Sequence, residues 1–375
     1  MKRNPFLTSG YAGAEYFCDR EKETKELIRQ LVNGNHVVLK SPRRIGKTGL
    51  LYHCFNQQEL KDNYNTFIID IYATKNLHDF IFEMGRCIVN TLKPKGRKAI
   101  EKFLEIASAL RPGVSFDIMG NATWSLGVDK PVAPEFVLEQ IFHYIGQSEK
   151  PCIIAIDEFQ QITYYPEKNV EALLRTYIQQ CNNAHFVFSG SERHLLSEMF
   201  NSPARPFFAS TSPFSLDKLP LEKYTPFVIK HFDNDNKIIT PEIVEMIYTR
   251  FEGVTWYMQK VFNQLYMNMQ EGEVCSAEML DQTIDIIIED NSSSYADLLY
   301  QLTSRQAQLL TAISREGKAS EITSSRFIKK YHLPAASSIQ TALKSLLEKQ
   351  LVTRNLGTYE VYDKFLSLWM TRNYQ

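Results

Sequence analysis

Short apolar runs alternate with amphipathic segments along roughly the first 215 residues of the chain. The apolar runs suit strands that are buried on both faces of a parallel sheet. The segments between them repeat their apolar positions every three to four residues, as helices do. The predicted strands cover residues 37–40, 66–72, 152–156 and 185–191, and the predicted helices cover residues 19–31, 77–92, 134–147 and 170–181. This order predicts an α/β fold with a parallel sheet.

One segment of this region follows a different pattern. Residues 114–118 and 122–128 alternate apolar and polar side chains on either side of Gly120-Asn121, a dipeptide typical of tight turns. We therefore expect a β-hairpin, inserted into the α/β unit at about residues 112–130.

The alternation of strands and helices stops at about residue 216. Helical spacing then covers residues 222–232, 241–251, 255–270 and 280–300, which predicts a helical lid. Three further helices (304–314, 324–331 and 335–349) precede two short strands (351–354 and 358–362), an order typical of a winged helix-turn-helix. The predicted domains are thus 1–215, 216–300 and 301–375.

The first predicted strand runs through a tight turn into a helix, and this turn resembles a phosphate-binding loop. In the pattern Gly-x-x-x-x-Gly-Lys-[Ser/Thr], backbone N–H groups and a helix N-terminus surround phosphates, the lysine contacts the β and γ phosphates, and the hydroxyl binds magnesium. Ser41 replaces the first glycine of that pattern. The residues expected around ATP are Ser41, Pro42, Arg43, Arg44, Ile45, Gly46, Lys47, Thr48 and Gly49.

Two adjacent carboxylates follow the buried strand at 152–156. Asp157 suits a magnesium ligand and Glu158 suits the base that polarises the attacking water, although such a pair also occurs as a helix cap followed by a first-turn acid. The strand at 185–191 ends in Ser189 and Ser191. Either hydroxyl could contact the γ-phosphate or the water, and either could simply belong to a turn.

Composition excludes several other classes of protein. The chain has 375 residues, of which 44% are hydrophobic and 23% charged, as in ordinary globular proteins. The opening residues lack the apolar core of a signal peptide and no run of about eighteen apolar residues is present, so we expect a cytoplasmic protein with no membrane contact. The six cysteines form no Cys-x-x-Cys motif, which argues against zinc and disulfides.

The formal charge of −1 hides an asymmetry between the two ends of the chain. Residues 301–375 carry eleven basic and five acidic side chains, a net charge of +6, which leaves −7 for residues 1–300. Such a surplus fits either a nucleic-acid contact or a solvated basic face. The candidates for DNA contact are Ser337, Ser338, Gln340 and Lys344 on the third helix, with Lys329, Lys330 and Arg354 for phosphates.

Five segments together resemble the prokaryotic "archaeal ATPase" family, on the AAA+/STAND side of the P-loop NTPases. They are Phe17-Cys18-Asp19-Arg20-Glu21, the loop from Ser41 to Thr48, Ile156-Asp157-Glu158-Phe159-Gln160, Phe188-Ser189-Gly190-Ser191 and Tyr359-Glu360-Val361-Tyr362-Asp363. The resemblance spans nearly the whole chain. It implies a RecA-like core, a helical lid and a C-terminal winged helix, with ATP and Mg²⁺ as cofactors.

The same resemblance implies roles for individual residues. Lys47 and Thr48 take the phosphate and magnesium roles, Asp157 the metal role, Glu158 that of the catalytic base and Ser189 that of the sensor. Arg205 is the candidate arginine finger, acting on a neighbouring subunit of a homo-oligomer. A phosphate-sensing arginine of the lid is not evident near residues 253–257.

Three functions could use these features. The first is a magnesium-dependent ATPase of slow turnover that acts as a nucleotide-driven switch on DNA or a partner protein. The second is a regulatory module that binds ATP, hardly hydrolyses it, and uses the winged helix for protein contacts. The third, a metabolic kinase, is disfavoured because no acceptor site follows the loop.

Overall fold

The apolar runs of the N-terminal half form one parallel sheet. The computed structural model describes residues 3–92, 114–116, 122–124, 134–355 and 357–374. Its first seven strands are β1 (Val37–Lys40), β2 (Asn65–Asp70), β3 (Val114–Phe116), β4 (Ala122–Trp124), β5 (Cys152–Asp157), β6 (Ala184–Gly190) and β7 (Ser212–Ser215). Five of them lie side by side in the order β2-β5-β6-β1-β7, and every pair is parallel.

Helices surround this sheet, and they are α1 (Glu21–Val32), α2 (Lys47–Phe55), α3 (Gln58–Asn63), α4 (Leu77–Thr91), α5 (Pro134–Gly146), α6 (Val170–Gln180) and α7 (Arg193–Asn201). All six residues of β5 are buried. Because successive side chains of a strand point to opposite faces, both faces of the sheet are covered at β5. The α/β fold predicted from the alternation is therefore confirmed.

The order of the strands determines which loops meet. β6 lies between β1 and β5, so it is the extra strand between the phosphate loop and the Asp-Glu pair. Leu39 is paired with Ser189, and Asp70 with Asp157. Since the strands are parallel, their carboxyl ends bring the loops after β1, β2, β5 and β6 to one edge of the sheet.

Sequence patterns did not predict strand β7 or helices α3 and α7. Residues 212–215 contain Pro213 and little apolar pattern, yet they form the edge strand β7, where the missing N–H of a proline is tolerated. Helix α7 follows β6 directly and buries Leu196, Met199 and Phe200.

The predicted hairpin lies apart from this sheet. β3 and β4 pair antiparallel, with Val114 opposite Trp124 and Phe116 opposite Ala122. The remainder of the predicted 112–130 insertion, including its Gly-Asn turn, lies outside the described residues.

Residues Met1–Thr8 and Thr225–Gln375 form a second compact unit, distinct from the unit Ser9–Tyr224. Its elements are α8 (Leu221–Asp233, which spans the boundary), α9 (Pro241–Arg250), α10 (Thr255–Asn268), α11 (Ala277–Asp290), α12 (Ser292–Tyr300), α13 (Ser304–Glu316), α14 (Ser325–Lys330), α15 (Ala336–Glu348), β8 (Val352–Asn355), β9 (Thr358–Val361) and α16 (Lys364–Asn373). Helices α13 to α15 with the β8–β9 ribbon make the predicted winged helix. The final helix α16 was not predicted.

The lid helices and the winged helix are joined inside this unit. Glu252, in the turn between α9 and α10, pairs with Lys318 and with Lys364, each at 3.0 Å. The Tyr257 hydroxyl donates to the carbonyl of Tyr362 at 3.1 Å. The two predicted C-terminal domains therefore share contacts here, and the three-way division of the chain stays a prediction.

The first residues of the chain pack into the same unit. Phe6 is fully buried among aromatic side chains of α8 and α10, including Phe232 and Phe262 at ring-centroid distances of 5.3 and 5.4 Å. Asn263 fixes the backbone beside it, since its side-chain amide donates to the Phe6 carbonyl at 2.7 Å. Phe6 packed among these side chains, here called the aromatic plug, fixes the N-terminal segment to this unit.

Candidate nucleotide-binding site

The loop between β1 and α2 has the backbone shape that phosphate binding requires. Gly46 precedes α2 with a φ of 97°, in the left-handed region that favours glycine. Helix α2 begins at Lys47, so its unpaired N–H groups and the positive end of its dipole face the loop. Ile45 is only 2% exposed and fixes the loop to the core. The loop thus provides a cradle for anions.

Ser41 at the first glycine position of the motif fits this loop. Its φ is not in the left-handed region, whereas Arg44 takes that conformation with a φ of 66°. The Ser41 hydroxyl is buried and donates to the Pro42 carbonyl at 3.0 Å. Glycine is therefore not needed at position 41 on conformational grounds.

Lys47 lies between the two predicted carboxylates. Its Nζ is 3.1 Å from Asp157 Oδ1 and 3.2 Å from Glu158 Oε1, and its side chain is 8% exposed. The loop after β1 and the end of β5 are thus joined by a buried ion-paired cluster.

Asp157 accepts hydrogen bonds from side chains of two other elements, α2 and β6. Its Oδ2 accepts a hydrogen bond from Thr48 Oγ1 at 2.7 Å, and its Oδ1 accepts one from Ser189 Oγ at 2.6 Å. Burial by itself raises the pKa of Asp157, but Lys47, Ser189 and Thr48 outweigh it, so that the pKa lies below its ordinary value. The carboxylate is therefore charged at neutral pH.

The oxygens of Thr48 and Asp157 fit a magnesium site. A hydroxyl and a carboxylate are hard oxygen ligands, and Mg²⁺ usually combines one or two carboxylates with water and substrate phosphates. Among the described residues, no three His, Cys, Asp or Glu side chains form a metal site by themselves. The pair therefore suits an ion that is completed by nucleotide oxygens rather than a permanent metal centre.

Glu158 is bound on both carboxylate oxygens. Besides Lys47, it accepts hydrogen bonds from Gln160 and Ser191. Burial raises the pKa of Glu158. The charge of Lys47 and these two hydrogen bonds lower it by more, so the pKa lies below its ordinary value. Asp70 lies beside the cluster at the end of β2, and burial together with Asp157 and Glu158 raises its pKa.

The two serines at the end of β6 contact different carboxylates. Ser189 is fully buried and donates to Asp157, whereas Ser191 donates to Glu158. The sequence left the choice between them open, and the sensor role of Ser189 stays a prediction. Gln160 and Asp70 were not singled out from the sequence. Asp70 could have been found as a carboxylate that ends an apolar strand, and Gln160 as the last residue of the Ile156-Asp157-Glu158-Phe159-Gln160 segment that carries the family resemblance.

Arg205 lies away from this cluster, in an ion-paired group of its own. Its guanidinium pairs with Glu171 of α6 and, at 3.3 Å, with Glu198 of α7. Action as an arginine finger would require Arg205 to leave both carboxylates. The assignment stays a prediction.

Aromatic side chains of residues 11–17 pack against α2, the helix that follows the phosphate loop. Phe17 stacks on His53 of α2 with a centroid distance of 4.3 Å, and Tyr11 OH lies 3.0 Å from His53 Nδ1. A Cβ placed on Gly49 would lie 3.4 Å from the Phe17 ring, so Gly49 allows Phe17 to pack closely on the start of α2.

Most of the residues predicted to contact DNA are exposed. Ser337, Gln340 and Lys344 of α15 are exposed, as are Lys329 and Arg354. Four candidates also have contacts within the domain: Ser338 lies 3.4 Å from Arg305 Nη1, Lys330 pairs with Glu316 at 2.6 Å, Lys344 Nζ lies 3.9 Å from Glu348 Oε1, and the Arg354 guanidinium lies 5.7 Å from the centre of the Tyr359 ring. The exposed candidates lie on α14, α15 and the wing.

A parallel sheet, a phosphate loop after its first strand and an Asp-Glu pair two strands away define the class of P-loop ATPases. The chain belongs to the family described as "ATPase domain predominantly from Archaea", whose profile matches residues 17–261. A probable winged helix domain matches residues 293–372. The resemblance noted in the sequence is confirmed by these matches.

Solved structures share this fold over nearly the whole chain. The Walker-type ATPase PABY2304 of Pyrococcus abyssi is 17% identical with a TM-score of 0.65, and the match covers 98% of this chain and 99% of that one. The ORC2 protein of Aeropyrum pernix, solved as ADPNP-ADP complexes, is 12% identical with a TM-score of 0.62, covering 99% and 96%.

The ORC1 protein of Aeropyrum pernix, solved in complex with DNA, is 10% identical with a TM-score of 0.54, covering 95% of this chain and 93% of that one. No curated protein matches the sequence. Within the part of the chain that the structure describes, no helix is long and apolar enough to cross a membrane.

Proposed function

We propose that the protein is a magnesium-dependent ATPase of slow turnover, which acts as a nucleotide-driven switch on DNA or a partner protein. The observation that carries this proposal is the buried cluster in which Lys47 contacts Asp157 and Glu158 within 3.2 Å. A lysine at the start of a helix, a hydroxyl next to it and two carboxylates are the parts that phosphoryl transfer from ATP to water uses.

Binding of ATP requires the cluster to exchange partners. The triphosphate would take the N–H groups at the start of α2 and draw the Lys47 ammonium from the carboxylates. Thr48 and Asp157 would hold Mg²⁺, which supplies neutralisation of phosphate charge when bound. Glu158, freed from Lys47, would orient the attacking water and accept its proton.

The test is steady-state phosphate release by the full chain with ATP and Mg²⁺. We expect hydrolysis that EDTA abolishes, and we expect Glu158→Gln to lower the rate by about 10² or more while ATP affinity is retained, the usual scale for loss of a general base. Glu59→Gln, at an exposed position of α3, is the matched control. Tight ATP binding without phosphate release would instead favour the regulatory module of little hydrolysis.

For the partner, we propose DNA contact through the winged helix. Support comes from the exposed polar side chains of α15 and from Lys329 and Arg354 beside it, on elements other than those that hold the lid. The ORC1 structure in complex with DNA shows that a protein of this fold binds DNA. Helix α15 would lie in the major groove and the wing near a backbone.

This second proposal is tested by fluorescence anisotropy of duplex DNA with the full chain, in a salt series with and without ATP. Removal of two phosphate contacts by Lys329→Ala with Arg354→Ala should lower the salt slope by about 1.8. Lys230→Ala, an exposed lysine of α8, should leave the slope unchanged. No binding at low salt would identify the winged helix as a protein-contact element.

A further inference from the structure

The two carboxylate oxygens of Glu158 have different surroundings. Oε2 accepts hydrogen bonds from Gln160 Nε2 at 2.6 Å, from Ser191 Oγ at 2.8 Å and from Ser191 N at 3.1 Å. Oε1 contacts Lys47 Nζ at 3.2 Å. Because the ammonium of Lys47 is the group that ATP would draw away, Oε1 becomes available on nucleotide binding while Oε2 keeps its donors.

The direction of the Ser191 hydrogen bond is determined by its neighbours. Arg43 Nε lies 2.7 Å from Ser191 Oγ. A guanidinium can only donate and a carboxylate can only accept, so the single hydroxyl proton of Ser191 points to Glu158. Arg43, in the phosphate loop, is thus connected to Glu158 of the next motif through one oriented hydroxyl.

Gln160 is held in place at a cost in stability. It is 2% exposed, and its Oε1 is buried without a hydrogen-bond partner among the described residues. An unsatisfied buried oxygen costs about 1–3 kcal/mol. If the amide nitrogen and oxygen of Gln160 changed places, two oxygens that can only accept would face each other at Glu158 Oε2. The contact therefore fixes the orientation of the amide. The amide nitrogen is therefore committed to Glu158.

The surrounding backbone accommodates this arrangement. A Cβ on Gly190 would lie 1.9 Å from Gln160 Oε1, so only glycine leaves room for the amide. Glu158 itself has a φ of 57°, in the left-handed region that costs a non-glycine residue energy. Strain of this kind persists where the surrounding structure imposes it, and it concentrates at functional sites.

We propose that Gln160 and Ser191, with Arg43 behind Ser191, are positioning residues for Glu158, and this inference rests on the proposed ATPase activity. They hold Oε2 and thereby present Oε1 to the attacking water. The water oxygen bonds to the γ-phosphorus, one water proton passes to Oε1, and the bond to the β-phosphate oxygen breaks with its electron pair remaining on ADP. The proton on Oε1 then leaves to solvent.

The arrangement predicts a specific kinetic signature. Ser191→Ala and Gln160→Ala should each lower kcat about tenfold and together about 10²-fold, since a misplaced catalytic group loses rate on this scale. ATP affinity and KM should change by less than about threefold, because neither side chain belongs to the phosphate loop. Ser191→Thr keeps the hydroxyl and should restore most of kcat. Ser210→Ala, which removes a hydroxyl bound to the Phe207 carbonyl, is the control.

The link through Arg43 is tested by a double-mutant cycle. Arg43→Ala should lower kcat at saturating ATP in the wild type, but it should have little further effect on kcat in the Ser191→Ala background, because the link is already broken. If the effects of Arg43→Ala and Ser191→Ala on kcat are fully additive, Arg43 does not act through Ser191. Thermal melts of each variant establish that it is folded, and the Ser191→Ala and Ser191→Thr pair decides the outcome even where Gln160→Ala is unstable.

The possible results separate this inference from the function on which it rests. A kcat that is unchanged or raised in Ser191→Ala, in a wild type that Glu158→Gln inactivates, overturns the positioning role and leaves the ATPase intact. A rise would show that the donors restrain Glu158. A wild type without phosphate release, or a Glu158→Gln variant as active as the wild type, overturns both.

Discussion

Replacement of Lys47 by alanine tests the central assignment most directly. Lys47→Ala removes the cation that contacts Asp157 and Glu158 and that would face the β and γ phosphates of bound ATP. The backbone cradle around Gly46 should survive, because alanine is a good helix former at the first position of α2. The change therefore isolates the charge from the shape of the loop.

The size of the effect follows from burial and contact number. Two charge-assisted hydrogen bonds to phosphates are worth about 1.5–3 kcal/mol each, so ATP affinity should fall by about 10² or more. In the free protein the side chains of Lys47, Asp157 and Glu158 are 8%, 7% and 18% exposed. Removal of one partner from such a buried pair costs about 3–5 kcal/mol of stability.

Two measurements check these values. Isothermal titration calorimetry with ATP and Mg²⁺ measures affinity, and thermal unfolding in EDTA without nucleotide measures the stability of the free protein. Lys61→Ala, at an exposed position of α3, controls for the loss of one positive charge. We expect Lys47→Ala to lower both quantities and the control to lower neither.

Each measurement has a contradictory outcome. An unchanged ATP affinity in Lys47→Ala would refute the assignment of the loop as the phosphate site. An unchanged melting temperature without nucleotide would show that the ion-paired cluster does not stabilise the free protein. The first result concerns the phosphate site, and the second concerns the ion pairs of Lys47 with Asp157 and Glu158. The two can therefore be judged separately.

Four further predictions follow from particular contacts. Arg205→Ala should flatten a more-than-linear rise of hydrolysis with protein concentration, since an arginine supplied in trans contributes about 10³ to the rate; a monomer of constant specific activity excludes this. Burial and then His185 lower the pKa of His36 from 6.5 to about 4. Because the unfolded chain binds this proton more readily, stability should fall between pH 6.5 and 4 by up to about 3 kcal/mol, and chemical denaturation should show a weaker pH slope in His36→Asn. Phe6→Ala should cost about 3–5 kcal/mol of unfolding free energy because it empties a fully buried aromatic site, and a loss below 1 kcal/mol would show that the plug is not formed. Gly190→Ala should destabilise by about 1–3 kcal/mol through overpacking against Gln160, and unchanged stability would contradict the close contact.

Local patterns in the sequence were sufficient for much of the architecture. The apolar runs at 37–40 and 152–156 correspond to β1 and β5, because strands buried on both faces read as continuous apolar stretches. Helix α15 was expected at 335–349 and spans Ala336–Glu348, with Ile339 and Leu346 buried as its period of 3.6 predicts. Edge strand β7 was missed because an edge tolerates proline and has little apolar pattern.

The sequence by itself predicted the residues of the site, since Lys47, Thr48, Asp157 and Glu158 each follow an apolar strand within eight residues. Only the tertiary structure decided which donors contact which carboxylate: Ser189 donates to Asp157, while Ser191 and Gln160 donate to Glu158. Strand order causes this division, because placing β6 between β1 and β5 brings residues more than a hundred positions apart within hydrogen-bond distance. A motif gives the spacing of residues along the chain, whereas the pairing of strands sets the distances between residues on different strands.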